Sequence, residues 1–418
     1  MRGWSAVTIT PVQGPLRGRV TLPGSKSITN RALLLAALAT GRSHLTGALK
    51  SDDTHHMAVA LRLMGVTVEE PDDTSFVITG TGRLRPPSEP LFLGNAGTAT
   101  RFLVAAAANT EGMTVIDGDA HMRKRPIAPL VEALKALGVD VTSDSGCPPV
   151  IVRGTGGICG RQVTVDASLS SQYVSALLMA APCARTPVTI NLAGPLIGAR
   201  GYVELTLAAM RAFGASIDAV GGASWTVHPT GYRATDFAVE PDASAATYLW
   251  AAAALTGGDI DLGLAAEAFT QPDAAAHRLI SAFPNLPPEI DGAQMQDAVP
   301  TLAVLAAFNR TPVRFTGIAN LRVKECDRVA ALATELCRIR PGLAREDGDD
   351  LVVAADPPLA GRLPAQIQTY ADHRIAMALA LAGLRLAGIT IQDPGCVAKT
   401  YPAYWQTLAS LGVGLEPL

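Results

Sequence analysis

Two segments in the first quarter of the chain combine small residues with cations just before an apolar run. They read PGSKSITNR, from Pro23 to Arg31, and NAGTATR, from Asn95 to Arg101. Such a turn at a helix start suits a phosphate or a carboxylate, because the first N–H groups of a helix are unpaired and small residues allow close approach. The GxxxxGK[ST] pattern of P-loops is not met, since Ser25 separates Gly24 from Lys26. Ordinary helix caps with surface cations are the alternative.

Two segments further along have the same character. The segment MRKRP packs three cations beside Pro126, which we predict at the first position of a helix. Ser170, Ser171 and Gln172 supply two hydroxyls and an amide at another helix start, and N-capping explains only one of the three. Charge runs are usually solvated faces, which is the alternative for MRKRP.

The densest group of charges is NLRVKECDR, from Asn320 to Arg328. Lys324 and Arg328 are four residues apart, which predicts that they share one face of a helix. Glu325 projects differently and is a candidate proton donor or acceptor beside these cations. The segments YADHR and AKT, which contain Arg374 and Lys399, add further cations. A salt-bridged helix start is the alternative for NLRVKECDR.

Repeated phrases indicate the elements that must position these residues. LRLMGV, LKALGV, MRAFGA and LASLGV each describe the end of an amphipathic helix, a glycine cap and a strand. Their glycines are Gly65, Gly138, Gly214 and Gly412, and the long last interval leaves room for two further units, one or both irregular. Six units of about 70 residues would fill the chain, which is typical of an array built by duplication.

Each unit also has an Ala-rich helix, apolar nearly all round, that follows a polar turn and belongs in a core. We therefore predict a unit of strand, buried helix, strand, amphipathic helix, strand, strand. If the buried helices run parallel, their N-termini emerge at one end and form an anion site without a high net charge. The fifth unit is expected to be trimmed, because Gln271 to Asp297 leaves little room and prolines interrupt it.

Composition excludes several classes of function. The chain has 418 residues, of which 48% are hydrophobic and 5% aromatic, and its net charge is −3. These values predict two globular domains, with no stacking surface or basic field for nucleic acid or an anionic membrane. No apolar signal-peptide core occurs between Met1 and Gly18, which predicts a cytoplasmic protein. The apolar stretch Ile375 to Ile391 is expected to be a buried helix and a strand, not a membrane span.

The cysteines and histidines give no sign of a disulfide framework or a metal. Six cysteines include no CxxC pair, so we expect reduced thiols. Seven histidines show no ligand spacing, so neither a metal nor another cofactor is expected.

In this order, the segments GSKSITNR, NAGTATR, RKRP, SSQ, RVKECDR and DHR resemble the motif set of the 5-enolpyruvylshikimate-3-phosphate synthases, within the enolpyruvyl transferase family, from about Thr8 to Gly412. The related UDP-N-acetylglucosamine enolpyruvyl transferases share the repeat, but their nucleophilic-cysteine loop and GSKNA start are not evident. The resemblance implies a two-domain α/β fold, each domain with three β-α-β-α-β-β repeats and buried parallel helices, an inside-out α/β barrel. Residues 24–240 would form one domain, and residues 1–23 with 241–418 a discontinuous one, with the active site in the cleft.

The resemblance also implies a reaction and its residues. The enolpyruvyl group of phosphoenolpyruvate would move to the 5-hydroxyl of shikimate 3-phosphate, releasing phosphate, in aromatic amino-acid biosynthesis by a monomer. By similarity, shikimate 3-phosphate is held by Lys26, Ser27, Arg31, Ser170, Ser171, Tyr202, Asp297, Asn320 and Lys324. Phosphoenolpyruvate is held by Lys26, Gly97, Arg125, Gln172, Arg328, Arg374 and Lys399. The acid–base carboxylates are Asp297 and Glu325, assisted by Lys26 and His373, and which carboxylate serves which step stays open.

Three positions bear on how closely the chain follows this family. Ala199 stands where a phosphate-binding serine is usual, and Arg200 offers a replacement donor. Cys326 stands where threonine or serine is usual, as either a thiol of lowered pKa beside cations or a buried inert cysteine. Gly97 predicts sensitivity to glyphosate, because the resemblance associates a glycine here with admission of this inhibitor.

Two other functions stay open. One is an enolpyruvyl transferase with another acceptor, favoured by Ala199 and the trimmed unit. The other is a non-catalytic anion-binding protein of the same architecture. The presence of Asp297 and Glu325 together with Lys26 and Arg328 argues against the second, since a mere binder of anions has little use for carboxylates beside them.

Overall fold

The computed structural model describes residues 3–194, 198–355 and 359–418, and the chain divides into two compact units. The central unit is Gly24–Pro241, and the discontinuous unit joins Met1–Pro23 to Asp242–Leu418. The chain leaves the central unit after Pro241, one residue later than the boundary at 240 that the resemblance implied. In the central unit, the first and last residues, Gly24 and Pro241, form a β-bridge. In the discontinuous unit, the two segments are joined by a hydrogen bond from Asp242 N to Pro23 O.

The helices and strands follow the chain as a repeating series. The discontinuous unit begins with β1 (Ala6–Thr10) and β2 (Arg17–Arg19). The central unit contains α1 (Lys26–Leu38), β3 (Ala39–Thr46), α2 (Asp52–Leu63), β4 (Thr67–Glu69), β5 (Phe76–Thr81), β6 (Leu91–Phe92), α3 (Gly97–Ala107), β7 (Glu111–Asp117), α4 (Ala128–Ala136), β8 (Asp140–Thr142), β9 (Val150–Thr155), β10 (Gln162–Val165), α5 (Ser171–Ala180), β11 (Val188–Leu192), α6 (Gly201–Ala212), β12 (Ile217–Val220), β13 (Ser224–Val227), β14 (Tyr232–Arg233) and β15 (Phe237–Ala238). The discontinuous unit continues with α7 (Ala243–Thr256), β16 (Asp259–Asp261), α8 (Ala276–Ser281), β17 (Glu289–Asp291), α9 (Val299–Ala307), β18 (Val313–Thr316), α10 (Arg328–Ile339), β19 (Ala344–Asp347), β20 (Asp350–Val353), β21 (Gly361–Ile367), α11 (His373–Ala380), β22 (Leu386–Gln392), α12 (Tyr404–Ser410) and β23 (Gly414–Pro417).

The central unit has three sheets of one design. Their strand orders are β14-β3-β5-β4, β6-β7-β9-β8 and β10-β11-β13-β12, with β15 also on β3. In each sheet the first two strands are parallel and the others antiparallel, as in the pairs β10–β11, β11–β13 and β12–β13. A parallel pair needs a crossover, and in the second and third sheets the buried helices α3 and α5 supply it. In the first sheet the strands parallel to β3 are β14 and β15, from the end of the unit. The predicted β-α-β-α-β-β unit is confirmed.

Three helices, α1, α3 and α5, form the core of the central unit. Nearly every residue of each is buried, because alanine and leucine cover all sides of the helix. Residues one turn from their starts meet, since the guanidinium carbon of Arg31 lies 5.2 Å from the ring centre of Phe102 and its Nη2 lies 3.4 Å from Ser175 Oγ. The three N-termini therefore lie at one end of the bundle, where the sequence predicted an anion site.

The discontinuous unit repeats the design with one omission. Two of its sheets have the orders β17-β18-β20-β19 and β21-β22-β1-β23, whereas β16 and β2 form a parallel pair alone. After β16 the chain makes only short helices, including the six-residue α8, before β17 begins at Glu289. The trimmed repeat is thus the fourth, and numbering it as the fifth was wrong. The fifth, built on α9 and α10, is complete.

Two further expectations from the pattern are confirmed. Ile375 to Ile391 falls in the buried helix α11, a short 3₁₀ turn and the strand β22. Within the described ranges, no helix has the length and apolarity that crossing a bilayer requires. The capping glycine Gly138 has a φ of 81° and Gly412 a φ of 91°, in the left-handed region where a side chain would be strained.

Candidate functional site

The first helix of the central unit carries two buried cations. Lys26 is the first residue of α1, after the N-cap Ser25, and its Nζ lies 3.7 Å from Asp53 Oδ2. Ser27 follows on the same turn and is half-buried. The backbone oxygen of Ser27 accepts a hydrogen bond of 2.8 Å from Arg31. Lys26 and Ser27 thus lie in the first turn of α1, and Arg31 lies one turn further into the bundle.

Arg31 is buried among neutral oxygens. Its guanidinium donates to Thr206 Oγ1 at 2.7 Å and to the backbone oxygen of Tyr202 at 3.2 Å. Burial lowers the pKa of Arg31 to about 10, an effect that the nearby Tyr202 partly opposes. A buried cation is costly unless a counter-charge meets it, so this guanidinium is well suited to an anionic ligand.

Gly97 and Arg125 meet at the start of α3. The Arg125 guanidinium donates from Nη1 to Asn95 Oδ1 at 3.2 Å, across the turn that precedes the helix. A Cβ added to Gly97 would lie 2.6 Å from that Nη1, closer than real Cβ atoms approach. Glycine at this position therefore allows a buried guanidinium to lie against the first turn of a helix, which is an arrangement that suits a phosphate or a carboxylate.

Gln172 joins the starts of α3 and α5. Its amide nitrogen donates to Thr98 Oγ1 at 3.2 Å, and its amide oxygen accepts from Arg101 at 2.8 Å. Ser170 is the N-cap and accepts from the backbone nitrogen of Gln172 at 3.2 Å, while Ser171 is the buried first residue of α5. Capping therefore accounts for Ser170 alone, as the sequence indicated, whereas Ser171 begins the helix and Gln172 contacts α3.

Two of the three cations of MRKRP have different tasks, and the third, Lys124, is exposed. Arg125 belongs to the helix start just described, whereas Arg123 forms an ion pair with Asp117 at the surface. The prediction for Pro126 was wrong, because α4 begins at Ala128 and the proline of its first turn is Pro129. The carbonyl of Pro126 instead accepts from Arg101 at 3.1 Å and from the Tyr173 hydroxyl at 2.8 Å, which holds it outside the helix.

In the discontinuous unit, Arg328 is the centre of a buried ion network. Its guanidinium donates to Asp372 at 2.7 Å, to Glu325 at 2.7 Å and to Asp297 at 3.1 Å. Burial alone would lower the pKa of Arg328, but the attraction of these carboxylates outweighs it and the pKa is raised. Arg328 therefore stays charged and holds three carboxylates in fixed positions.

Two further cations complete the network. Arg374 donates to Asp297 Oδ2 at 2.7 Å, and Lys399 Nζ lies 3.0 Å from Glu325 Oε1. Both catalytic candidates, Asp297 and Glu325, are thus held between two cations each. Ion networks this deeply buried contribute little net stability, because desolvation of the charges offsets their attraction. Their presence here favours a chemical role.

Asn320 lies in the short 3₁₀ helix that precedes α10, with its side chain buried. Neither its amide oxygen nor its amide nitrogen has a hydrogen-bond partner in the described part of the chain. Buried amides are nearly always satisfied, so the pair of unmet groups indicates a place for a polar ligand. Lys324, four residues later, is half-buried.

The prediction that Lys324 and Arg328 share one helical face was wrong. A 3₁₀ helix ends at Val323, Lys324 has an extended ψ of −147°, and α10 begins only at Arg328. Asp327 is the N-cap of α10 and accepts from Ala330 N at 3.0 Å, so the chain changes direction between the two cations.

His373 is the first residue of α11 and is fully buried. Its Nδ1 lies 3.8 Å from Asp372 Oδ1, and Asp372 is the N-cap that accepts from Arg374 N at 2.9 Å. The segment YADHR thus supplies one residue to a helix cap, one buried imidazole and one cation of the network.

Comparison with known proteins extends these observations to the whole chain. The family model described as EPSP synthase (3-phosphoshikimate 1-carboxyvinyltransferase) matches residues 11–282 and 266–408. The chain belongs to the EPSP synthase family. A relative named 3-phosphoshikimate 1-carboxyvinyltransferase from Rhizobium leguminosarum bv. trifolii is 68% identical over 408 residues, 97% of each chain. A relative of the same name from Pseudomonas syringae pv. syringae is 66% identical over 417 residues, 100% of each chain.

Solved structures agree with the family. The EPSP synthase of Acinetobacter baumannii has a TM-score of 0.78 at 26% identity, and the match covers 98% of this chain and 99% of that one. The enolpyruvyl transferase NikO of Streptomyces tendae has a TM-score of 0.76 at 19% identity, over 100% and 99% of the two chains, and shares the fold.

The structure shows the surroundings of two residues, Ala199 and Cys326, that depart from the usual EPSP synthase pattern. Ala199 is buried with a φ of 55°, and Arg200 donates to the backbone oxygen of Gly222 at 2.6 Å. Burial raises the pKa of the Cys326 thiol, and Asp372 beside it adds to the rise. The raised pKa favours the inert cysteine over the thiol of lowered pKa.

Three residues that touch the predicted EPSP synthase site were not assigned to it from the sequence. They are Asp53 beside Lys26, Arg101 beside Gln172, and Asp372 beside Arg328. A capping pattern, aspartate before an apolar helix, could have drawn attention to Asp372. Asp53 is far from Lys26 in sequence, and only the fold brings the two together.

Proposed function

We propose that this chain transfers the enolpyruvyl group of phosphoenolpyruvate to the 5-hydroxyl of shikimate 3-phosphate and releases phosphate, as a 3-phosphoshikimate 1-carboxyvinyltransferase of aromatic amino-acid biosynthesis. Two full-length relatives of that name at 66–68% identity support it. The observation that carries the proposal is that Glu325 and Asp297 share Arg328 with each other and are each bound by one further cation. A protein that only bound anions would gain nothing from two carboxylates among its cations.

The reaction needs two proton transfers at the same carbon. A proton adds to the methylene carbon of phosphoenolpyruvate while the 5-oxygen of the acceptor, losing its own proton, bonds to the neighbouring carbon. The adduct then loses phosphate together with a proton from the new methyl group, which restores the double bond. A carboxylate can take such a proton in one step and return it in another. We assign these transfers to Glu325 and Asp297, with Lys26 and His373 assisting.

We propose that the remaining residues hold the anionic groups of the two substrates. Arg31, Tyr202, Ser27, Ser170, Ser171, Asn320 and Lys324 would bind shikimate 3-phosphate. Gly97, Arg125, Gln172, Arg328, Arg374 and Lys399 would bind phosphoenolpyruvate. Lys26 would contribute to both substrates, and Asp297 to shikimate 3-phosphate. Bidentate guanidinium contacts and helix N-termini suit the two phosphates and two carboxylates of this pair.

A second acceptor is the alternative, favoured by Ala199. If the usual serine donates to the phosphate of shikimate 3-phosphate, alanine removes that contact, and the Arg200 guanidinium is engaged with Gly222. An acceptor with a smaller anionic group would then bind as well. We also propose that glyphosate competes with phosphoenolpyruvate and that the protein acts as a cytoplasmic monomer, which sedimentation and cell fractionation would test.

The experiment measures phosphate release from phosphoenolpyruvate with shikimate 3-phosphate, with shikimate, or with no acceptor, and identifies the product by NMR. We expect release only with shikimate 3-phosphate and an enolpyruvyl ether at the 5-oxygen. Lys399→Gln should raise KM for phosphoenolpyruvate, whereas Lys135→Gln should leave it unchanged, because Lys135 pairs with Glu132 on an exposed surface. Equal turnover of shikimate would favour the alternative acceptor, and no release would contradict the transferase.

A further inference from the structure

Glu335 lies in the middle of α10 with its carboxylate fully buried. It accepts a hydrogen bond of 2.7 Å from the Tyr370 hydroxyl and one of 3.1 Å from the backbone nitrogen of Gln368. Arg338 donates to it at 2.8 Å from a half-exposed position one turn later. A buried carboxylate is costly without such partners, and two of the three donors belong to the loop between β21 and α11.

That loop holds an unusual backbone. Tyr370 and Ala371 are consecutive residues with side chains, and both lie in the left-handed region, with φ of 56° and 53°. Left-handed backbone disfavours residues with a Cβ, and such strain persists only where the surroundings impose it. The contacts that impose it here are the Tyr370 hydroxyl on Glu335 and the hydrogen bond of 2.8 Å from Asp372 N to Thr369 O.

The residue after the turn leads directly into the ion network. Asp372 accepts from Arg328 at 2.7 Å and caps α11, and Arg374 reaches Asp297 at 2.7 Å. Rotation of the turn would move the cap, and with it the first residues of α11. The left-handed turn therefore determines where Asp372 and Arg374 point.

We propose that Glu335 is a positioning residue for the transfer reaction: by binding the Tyr370 hydroxyl it holds the left-handed turn 370–371 and so orients Asp372 and Arg374. This rests on the proposed function, since Arg374 is assigned there to phosphoenolpyruvate. Glu335 itself touches no reacting atom. Burial, followed by the hydrogen bond to Glu335, raises the pKa of Tyr370 to about 12, so the phenol remains a donor at every working pH.

The test uses two variants. Tyr370→Phe removes only the hydroxyl, and the double variant with Ala371→Gly also relieves the backbone strain at residue 371. Tyr370→Phe should raise KM for phosphoenolpyruvate about 10-fold or more, the loss of one hydrogen bond to a charged group, and leave KM for shikimate 3-phosphate within about twofold. Glycine accepts the left-handed region without strain, so the double variant should recover most of that loss. Glu335→Gln should raise the same KM, and Ala371→Gly alone should leave it unchanged.

Tyr232→Phe is the matched control, because it deletes a buried phenol hydrogen bond of 2.8 Å to Met179 O in the central unit. It should leave both KM values unchanged. A wild-type KM for phosphoenolpyruvate in Tyr370→Phe, an equal rise in both KM values, or a rise that Ala371→Gly does not reverse would overturn the positioning role alone. A wild-type chain that neither turns over nor binds phosphoenolpyruvate by calorimetry would overturn the proposed function and the inference together.

Discussion

The guanidinium of Arg125 lies against Gly97, so that a single added methyl group would come within 2.6 Å of Nη1. Gly97 is the first residue of α3. The effect of Gly97→Ala should come from this contact. The guanidinium must move, which predicts a KM for phosphoenolpyruvate raised about 10-fold or more and weaker inhibition by glyphosate.

Steady-state kinetics with and without glyphosate measure this. Gly14→Ala is the control, because nothing lies within 4 Å of a Cβ added at Gly14. Unchanged inhibition in Gly97→Ala would refute the assignment of Arg125 and Gly97 to the phosphoenolpyruvate site.

The buried amide of Asn320 should lower the stability of the fold while it serves substrate binding. Its buried amide has no partner among the described residues, so Asn320→Leu should leave Tm unchanged or raise it. The same change should raise KM for shikimate 3-phosphate about 10-fold or more, because the proposed ligand loses its amide contact.

Asn309→Leu is the contrasting variant. The amide oxygen of Asn309 accepts from Leu286 N at 2.9 Å and its nitrogen donates to Thr311 O at 2.9 Å, so this change should lower Tm. If Asn320→Leu lowers Tm to the same degree and leaves KM unchanged, Asn320 is a structural residue.

Asp117 and Arg123 give a pH-dependent contribution to stability that is separate from activity. The hydrogen bond from Arg123, with one from Gly118 N, lowers the pKa of Asp117 below its ordinary value of 3.8. A carboxyl group whose folded pKa is lowered stabilises the fold above the ordinary pKa and loses that contribution as pH falls below it. Asp117→Asn should therefore lower Tm by about 1–2 °C at pH 7, a modest effect because Arg123 is largely exposed, and by less near pH 3.

Thermal unfolding of wild type and variant from pH 7 to pH 3 measures the difference. KM for both substrates should stay unchanged, because Arg123 points to Asp117 and not to the helix start. A Tm difference that grows as pH falls would contradict the sign.

Cys326 should resist alkylation even though it lies between cations in the sequence. Its pKa is raised by burial, so the reactive thiolate is scarce at pH 8. Cys159 is exposed and should react first with iodoacetamide. Mass spectrometry of the labelled peptides decides between them, and rapid labelling of Cys326 in the folded protein would show that its thiol is activated.

The sequence predicted the starts of several buried helices well, because their capping signals are local. Ser25, Ser170, Asp242 and Asp372 are N-caps whose side chains accept from the turn that follows, and each precedes an apolar run. The repeat was also evident from the sequence, because each of the four recurring segments that precede a capping glycine ends a helix. The fourth repeat was misnumbered because its second helix is short and lacks the capping glycine that marked the others.

Pairings between distant segments could not be predicted. The sequence gives no reason to connect Glu335 with Tyr370, or Lys26 with Asp53, because their proximity depends on the packing of whole elements. Spacing also misled where the chain was not helical, as between Lys324 and Arg328. The motif residues could be identified from their residue types and order. The carboxylates that orient them, such as Asp53 and Asp372, could be identified only from the three-dimensional structure.

The most direct test of the central claim is the rate of phosphate release from phosphoenolpyruvate by wild type and Glu325→Gln, with and without shikimate 3-phosphate. We predict that release requires shikimate 3-phosphate and falls about 100-fold or more in Glu325→Gln, while calorimetry shows that shikimate 3-phosphate still binds. Undiminished release by Glu325→Gln would contradict the role of this carboxylate in proton transfer, and release by wild type without shikimate 3-phosphate would contradict the transfer itself.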